Sequence, residues 1–181
     1  GGDVGEHYPK DNNATNEVVM RANGLSTKSG VEDVTFDLRR GEVLGLGGVL
    51  GSGRTEIARA LFGVDTLTEG SIEIDGSPVR FRNELEAIKA GMALVPENRK
   101  TDGLFFNFRA SGNITAASLA EISKSGLLDL YAEENGTERL MQELEISAQA
   151  ESKTVNFLSG GNQQKIVIAR WLFSDSRILI F

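Results

Sequence analysis

Residues Gly48 to Thr55 read Gly-Val-Leu-Gly-Ser-Gly-Arg-Thr. The spacing is that of a phosphate-binding loop, G-x-x-x-x-G-K-[S/T], with Arg54 standing where the lysine belongs. Gly48, Gly51 and Gly53 allow the backbone to turn tightly and aim its N–H groups at an anion. With Ser52 and Arg54 they form a candidate cradle for the phosphates of a nucleoside triphosphate. Thr55 supplies the hydroxyl that ligates Mg²⁺ in such loops. Arg54 alters the chemistry. Lysine is a compact charge on a flexible stem, whereas arginine is a planar, bulkier fork. Arg54 neutralises phosphate but is poorly suited to follow a γ-phosphate into a transition state. The plainer alternative is a glycine-rich turn that only links two elements.

The second group is Leu158-Ser159-Gly160-Gly161-Asn162-Gln163-Gln164-Lys165. Ser159 is a good N-cap, and Ile166, Val167, Ala169, Arg170 and Phe173 continue a helix from it. Two glycines in the first turn weaken a helix. In exchange they leave a bare helix N-terminus that an anion can approach closely. An ordinary capped helix is the alternative reading of this stretch taken alone.

The elements that must position these groups are legible on either side. Glu42 to Leu46 is a short apolar-rich run after the turn Arg40-Gly41 and predicts a buried strand leading into the loop. Ile57, Ala58, Leu61 and Phe62 recur at helical spacing, with Gly63 as a stop. Val18–Met20 and Val34–Leu38 predict strands, and Ser71–Asp75 alternates before the hairpin signal Asp75-Gly76. Glu84–Ala90 predicts a short helix and Met92–Val95 a buried strand. Residues 110–150 carry helical patterning, with Ile114, Leu119, Ile122, Tyr131, Leu140 and Leu144 as its apolar positions. The glycine-opened helix and a strand over Ile178–Phe181 close the chain. Residues 1–16 are polar and read as a linker or frayed end.

Composition narrows the classes. The 181 residues suit one domain, and 40% hydrophobic with 25% charged residues is ordinary for a globular protein. Nineteen basic against 26 acidic residues leave a formal net charge of −7, which argues against a nucleic-acid partner. There is no cysteine and one histidine, His7. Disulfides, thiol catalysis and a cysteine or histidine metal cluster are therefore excluded. No apolar run nears the ~20 residues of a membrane-spanning helix. No secretory signal is seen, so a cytoplasmic location is the default expectation.

A phosphate loop, then LSGG opening a helix, then an apolar strand, is an order that resembles the ATP-binding cassette (ABC) ATPases. The resemblance covers residues 17–181. It is nearer still to the ATP-binding subunits of bacterial carbohydrate importers of the ribose, xylose and galactose type. The segments Gly47–Glu56, Pro96–Leu104 and the LSGGNQQK octapeptide carry it. It implies an α/β, P-loop NTPase core with an antiparallel β subdomain and a helical subdomain over about 104–157. It also implies ATP and Mg²⁺ as cofactors. Such subunits look like two fused cassettes, and Arg54 and Glu97 resemble the second. The partners implied are a first cassette of the same polypeptide and transmembrane permease subunits, at the inner face of the cell membrane.

The resemblance also assigns roles. Gly48 to Thr55 would cradle one ATP, with Thr55 on Mg²⁺. Glu97 stands at the Q-loop position, where most cassettes have a glutamine touching Mg²⁺ and the attacking water. A carboxylate there still meets a metal, but it repels the γ-phosphate; a solvated loop carboxylate is the plainer reading. Ser159, Gly160, Gly161 and Asn162 would meet ATP held by the partner cassette.

Departures from the family pattern are equally specific. Leu25–Val31 lacks the aromatic that stacks on adenine, and Val31 offers a weak apolar contact at most. Arg177–Phe181 resembles the strand leading to the Mg²⁺-binding aspartate and catalytic glutamate, and the chain stops one residue short of them. The resemblance thus implies a cassette incomplete at its C-terminus, with no catalytic acids of its own. It also implies one interior strand missing, hence non-native closure or self-association of the fragment. Three other functions stay open: a regulatory, non-hydrolytic scaffold cassette; a soluble cassette ATPase acting on nucleic acid or ribosomes; and an unrelated phosphate-loop kinase or GTPase.

Overall fold

The computed structural model describes residues 13–181; His7 and most of the expected leader lie outside them. The chain divides into two compact units, one ending at Asn83 and one running from Glu84 to Phe181.

The first unit is built on an antiparallel sheet. Its strands are β1 (Val18–Thr27), β2 (Val34–Arg39), β3 (Leu67–Ile74) and β4 (Ser77–Val79), ordered β2-β1-β3-β4. Alternation decides its two faces. Met20 pairs with Ile74 and Ala22 with Ile72, and all four are buried. Arg21 lies between them on the other face, 2.7 Å from Asp37 and 3.9 Å from Glu73. The β3–β4 hairpin turns at Asp75 (φ 49°) and Gly76 (φ 72°). Two consecutive left-handed residues are what a tight hairpin of matching twist requires. Helix α1 (Arg54–Leu61) adds Ile57, Ala60 and Leu61 to the buried set, followed by Phe62.

The expected strand at Glu42–Leu46 does not form. Residues 42–49 contain neither helix nor strand, and no described strand pairs with them. Val43 is 99% and Leu50 98% exposed. An apolar run becomes a strand only when a neighbour takes up its backbone N–H and C=O groups and covers its side chains. This segment has the composition of a strand without the ladder.

The second unit holds a parallel pair, β5 (Met92–Leu94) and β8 (Ile178–Ile180), with Met92 opposite Ile178 and Leu94 opposite Ile180. Helix α2 (Glu84–Lys89) precedes β5, and a single π-type turn spans Arg99–Gly103. Helix α3 (Ala110–Ile114), a two-rung hairpin of β6 (Ser123–Lys124) and β7 (Leu127–Leu128), α4 (Leu130–Glu143) and α5 (Gln149–Ser152) follow. They lead to α6 (Gly160–Phe173). Ile114, Leu140, Val155, Ile166 and Val167 are each 2% exposed or less and form the heart of this unit. Leu119 and Tyr131 do not join it: they are 48% and 77% exposed. The helical pattern expected across 110–150 is interrupted by the β6–β7 hairpin, which takes these two residues out of phase with the core.

A buried polar cluster braces the second unit. Arg170 is 8% and Asn113 0% exposed. Arg170 Nε donates to the Asn113 carbonyl at 2.8 Å, and Asn113 Oδ1 accepts from Phe105 N at 2.8 Å. The guanidinium also lies 5.7 Å from the Phe105 ring. Burial pulls the Arg170 pKa down from its ordinary value. Hydrogen-bonded burial of this kind holds a backbone in one conformation, because each unpaired member would be costly.

Candidate functional site

The phosphate-loop residues belong to the first unit and Glu97 with Ser159–Asn162 to the second, so each half is built separately. Gly53 is the N-cap of α1, with φ 86°, in the left-handed region. A side-chain-bearing residue pays steric strain there that glycine avoids. No side chain caps this helix. Gly51 (φ 80°) turns the chain just before it, with nothing within 4 Å of where a Cβ would stand. Gly48, Gly51, Ser52, Arg54 and Thr55 are all exposed. The result is an open, uncapped helix N-terminus behind a glycine turn, which suits an anion both by its N–H groups and by the helix dipole. Val31, the apolar substitute for an adenine-stacking ring, is only 3% exposed. A Cβ on Gly53 would stand 3.9 Å from Val31 Cγ2. Val31 therefore supports the loop from inside and offers no face to a base.

The second helix N-terminus is assembled differently. Ser159 caps α6: its Oγ accepts from Asn162 N at 3.4 Å and from Asn162 Nδ2 at 3.0 Å. Asn162 Oδ1 in turn accepts from Ser147 N at 2.9 Å. Gln163, 8% exposed, donates to the carbonyls of Val155 (3.1 Å) and Leu158 (3.2 Å). The entry to α6 is thus tied to the chain on both sides. Gly160 and Gly161 stay exposed at its tip, and a Cβ on Gly161 would meet nothing within 4 Å. The Asn162 side chain is engaged inside the protein, so it shapes this end through Ser159 and Ser147.

Glu97 is exposed in the segment between β5 and the π-type turn. The Thr55 hydroxyl and the Glu97 carboxylate are hard oxygen donors of the kind Mg²⁺ takes, and both residues are exposed. Sequence reasoning did not single out Asn113, Arg170 and Ser147 as supports of this unit. Arg170 carried a signal: it follows Ile166 by four residues, at a position of the α6 stripe that faces the core.

Among the described residues no helix is long and apolar enough to cross a membrane. The family model for ABC transporters matches residues 31–181. A ribose import ATP-binding protein of Rubrobacter xylanophilus is 42% identical over 181 residues, all of this chain and 36% of that protein. One from Oceanobacillus iheyensis is 38% identical over 99% of this chain and 36% of its own length. The chain therefore spans little more than a third of these curated relatives. Among solved structures, a dimeric ATP-binding cassette in a post-hydrolysis state bound to ADP and Pi superposes with TM-score 0.73. It shares 21% identity, over 88% of this chain and 72% of that one. A nucleotide-free cassette from an ABC transporter also gives TM-score 0.73 at 14% identity, over 90% of this chain and 67% of that one. With a P-loop cassette fold, both helix N-termini in place and a family match over most of its length, the chain belongs to the ATPase domains of ABC transporters.

Proposed function

We propose that this chain is the second ATP-binding cassette of a bacterial sugar importer's energy-coupling subunit. The carrying observation is the uncapped, glycine-turned N-terminus of α1, with Gly53 left-handed and Arg54 and Thr55 exposed beside it. Gly48, Gly51, Ser52 and Gly53 cradle the phosphates of ATP, and Arg54 neutralises them. Thr55 in the first unit and Glu97 in the second would each offer Mg²⁺ an oxygen ligand, and the ion would supply charge neutralisation at the phosphates. Ser159, Gly160, Gly161 and Asn162 present the α6 N-terminus to ATP held by a partner cassette.

Support for the importer branch comes from relatives that are ribose import ATP-binding proteins. The partners on this reading are a first cassette of the same polypeptide and transmembrane permease subunits at the cytoplasmic face. The second unit offers a surface suited to docking. Phe105 and Phe108 are 53% and 58% exposed, with ring centroids 5.9 Å apart, and Asn113 of the buried cluster holds the Phe105 backbone.

A second reading is favoured by Arg54 and Glu97: a regulatory cassette that binds ATP, cleaves it poorly, and supports its fused twin. Arginine's rigid fork follows a moving γ-phosphate less well than lysine. A carboxylate where a neutral amide serves elsewhere repels the same group.

The test is calorimetric titration of the 181-residue chain with Mg-ATP, beside phosphate release. The expected result is saturable binding, lost in Thr55→Ala without Mg²⁺ rescue, and turnover far below that of a complete cassette. Absence of binding by the folded chain overturns the nucleotide assignment. Brisk turnover overturns the regulatory reading.

A further inference from the structure

We propose that Arg99 is a positioning residue: it fastens the exposed N-terminus of α6 to the turn that follows Glu97, and so sets where Ser159, Gly160 and Gly161 stand. The proposal rests on the reading above that this N-terminus meets a nucleotide phosphate.

The turn is closed on itself. Asn98 Oδ1 accepts from Lys100 N at 3.0 Å, and Asp102 N donates to the Asn98 carbonyl at 3.0 Å. Its far end is packed onto α6. Gly103 is buried, and a Cβ there would stand 3.1 Å from Arg99 Cβ, 3.2 Å from Pro96 Cγ and 3.5 Å from Val167 Cγ2. From this base the Arg99 side chain runs back to the first turn of α6. Nη1 donates to Gln164 Oε1 at 3.4 Å. Nη2 lies 3.0 Å from where a Cβ on Gly160 would be. Nε is buried and has no hydrogen-bond partner among the described residues.

The guanidinium therefore lies directly against Gly160. A side chain at 160 would crowd it and make the Arg99 terminus shift, which gives the first glycine of the pair a use that helix stability does not explain. The arrangement is not capping. A cation beside a helix N-terminus opposes the dipole, and Ser159 already caps α6. One nitrogen of the planar group donates to Gln164 while the other lies against Gly160, a placement that suits a fork better than a single ammonium. A movement of the Glu97 turn is passed through Arg99 to the tip of α6.

The test has two arms. In the 181-residue chain, hydrogen exchange is followed by mass spectrometry in Arg99→Lys, Arg99→Met and wild type. The amides of Asn162 and Gln163, which donate to Ser159, should exchange about tenfold faster in both variants, with α4 amides unchanged. Uniform acceleration across the second unit would mean a merely structural role and overturns the proposal. In the complete ATP-binding subunit assembled with its permease, Arg99→Met should lower kcat about tenfold with KM for ATP unchanged. Gly161→Glu, which places a carboxylate where space is open, is the control on the underlying reading. If Gly161→Glu abolishes turnover and Arg99→Met does not change it, the role of Arg99 is wrong. If Gly161→Glu has no effect, the phosphate reading of α6 fails and the exchange arm alone decides the link.

Discussion

The N-termini of α1 and α6 are both glycine-rich and exposed, yet they are finished in opposite ways. At α1 the cap position is a left-handed glycine with no side chain to satisfy the helix. At α6 a serine caps the helix, and an asparagine ties that serine to Ser147. The first end has no side-chain cap. The second is satisfied by its own chain and exposes only the bare tip. An incomplete helix end suits a ligand that is held, and a prebuilt end suits a ligand that is met in passing. That division of labour is what a cassette needs if one N-terminus grips its own nucleotide and the other touches a partner's.

The sharpest way to break this contrast is at Gly53. Gly53→Ala imposes about 1–2 kcal/mol of left-handed strain, so ATP affinity should fall roughly 5–30-fold by calorimetry. Gly161→Ala, which meets no atom within 4 Å, should leave that affinity within about twofold. Equal effects would mean the two ends are not specialised.

The cap at α6 makes the converse prediction. Ser159→Ala should destabilise the second unit by about 1 kcal/mol, while Ser159→Asp should preserve it. The single tryptophan, Trp171, lies in α6, so its fluorescence during urea unfolding reports the shift. Ionic strength should separate the two ends more gently. ATP binding at α1 should weaken a few-fold between low and high salt, whereas the Ser159 cap, a neutral hydrogen bond, should not respond.

The smallest effect concerns a third helix start. Asp129 caps α4 through Ala132 N at 3.1 Å, and its pKa is lowered chiefly by the hydrogen bond from Lys124 at 2.7 Å. A depressed carboxylate stabilises the fold above the ordinary aspartate range. That contribution is lost as pH falls through the depressed value. Acid should therefore loosen α4 only below the ordinary carboxylate range, and Asp129→Asn should remove this pH dependence in circular dichroism.

Much of this contrast was legible in the chain. The hairpin at Asp75-Gly76, the Ser159 cap and the spacing of the phosphate loop all depend on neighbours within a few residues. Local sterics and hydrogen bonding dictate them. Failures came where the partner was distant. Glu42–Leu46 has strand composition but no described strand beside it. Leu119 and Tyr131 keep helical spacing with the core positions but are displaced by a two-rung hairpin. Val31, a weak candidate for apolar contact with a base, is buried.

The sequence by itself determined where phosphate chemistry could reside, because glycine, serine and threonine at set spacings shape a backbone over a single turn. It also determined the family, through motifs too specific to arise in an ordinary turn. Only the tertiary structure decided which helix end is left open and which is braced. It also decided that Arg170 and Asn113 are buried together, and that Arg99 reaches Gly160 across more than sixty residues of chain. Those outcomes depend on contacts between segments far apart in sequence, and no local pattern carries the energy of a contact it does not itself contain.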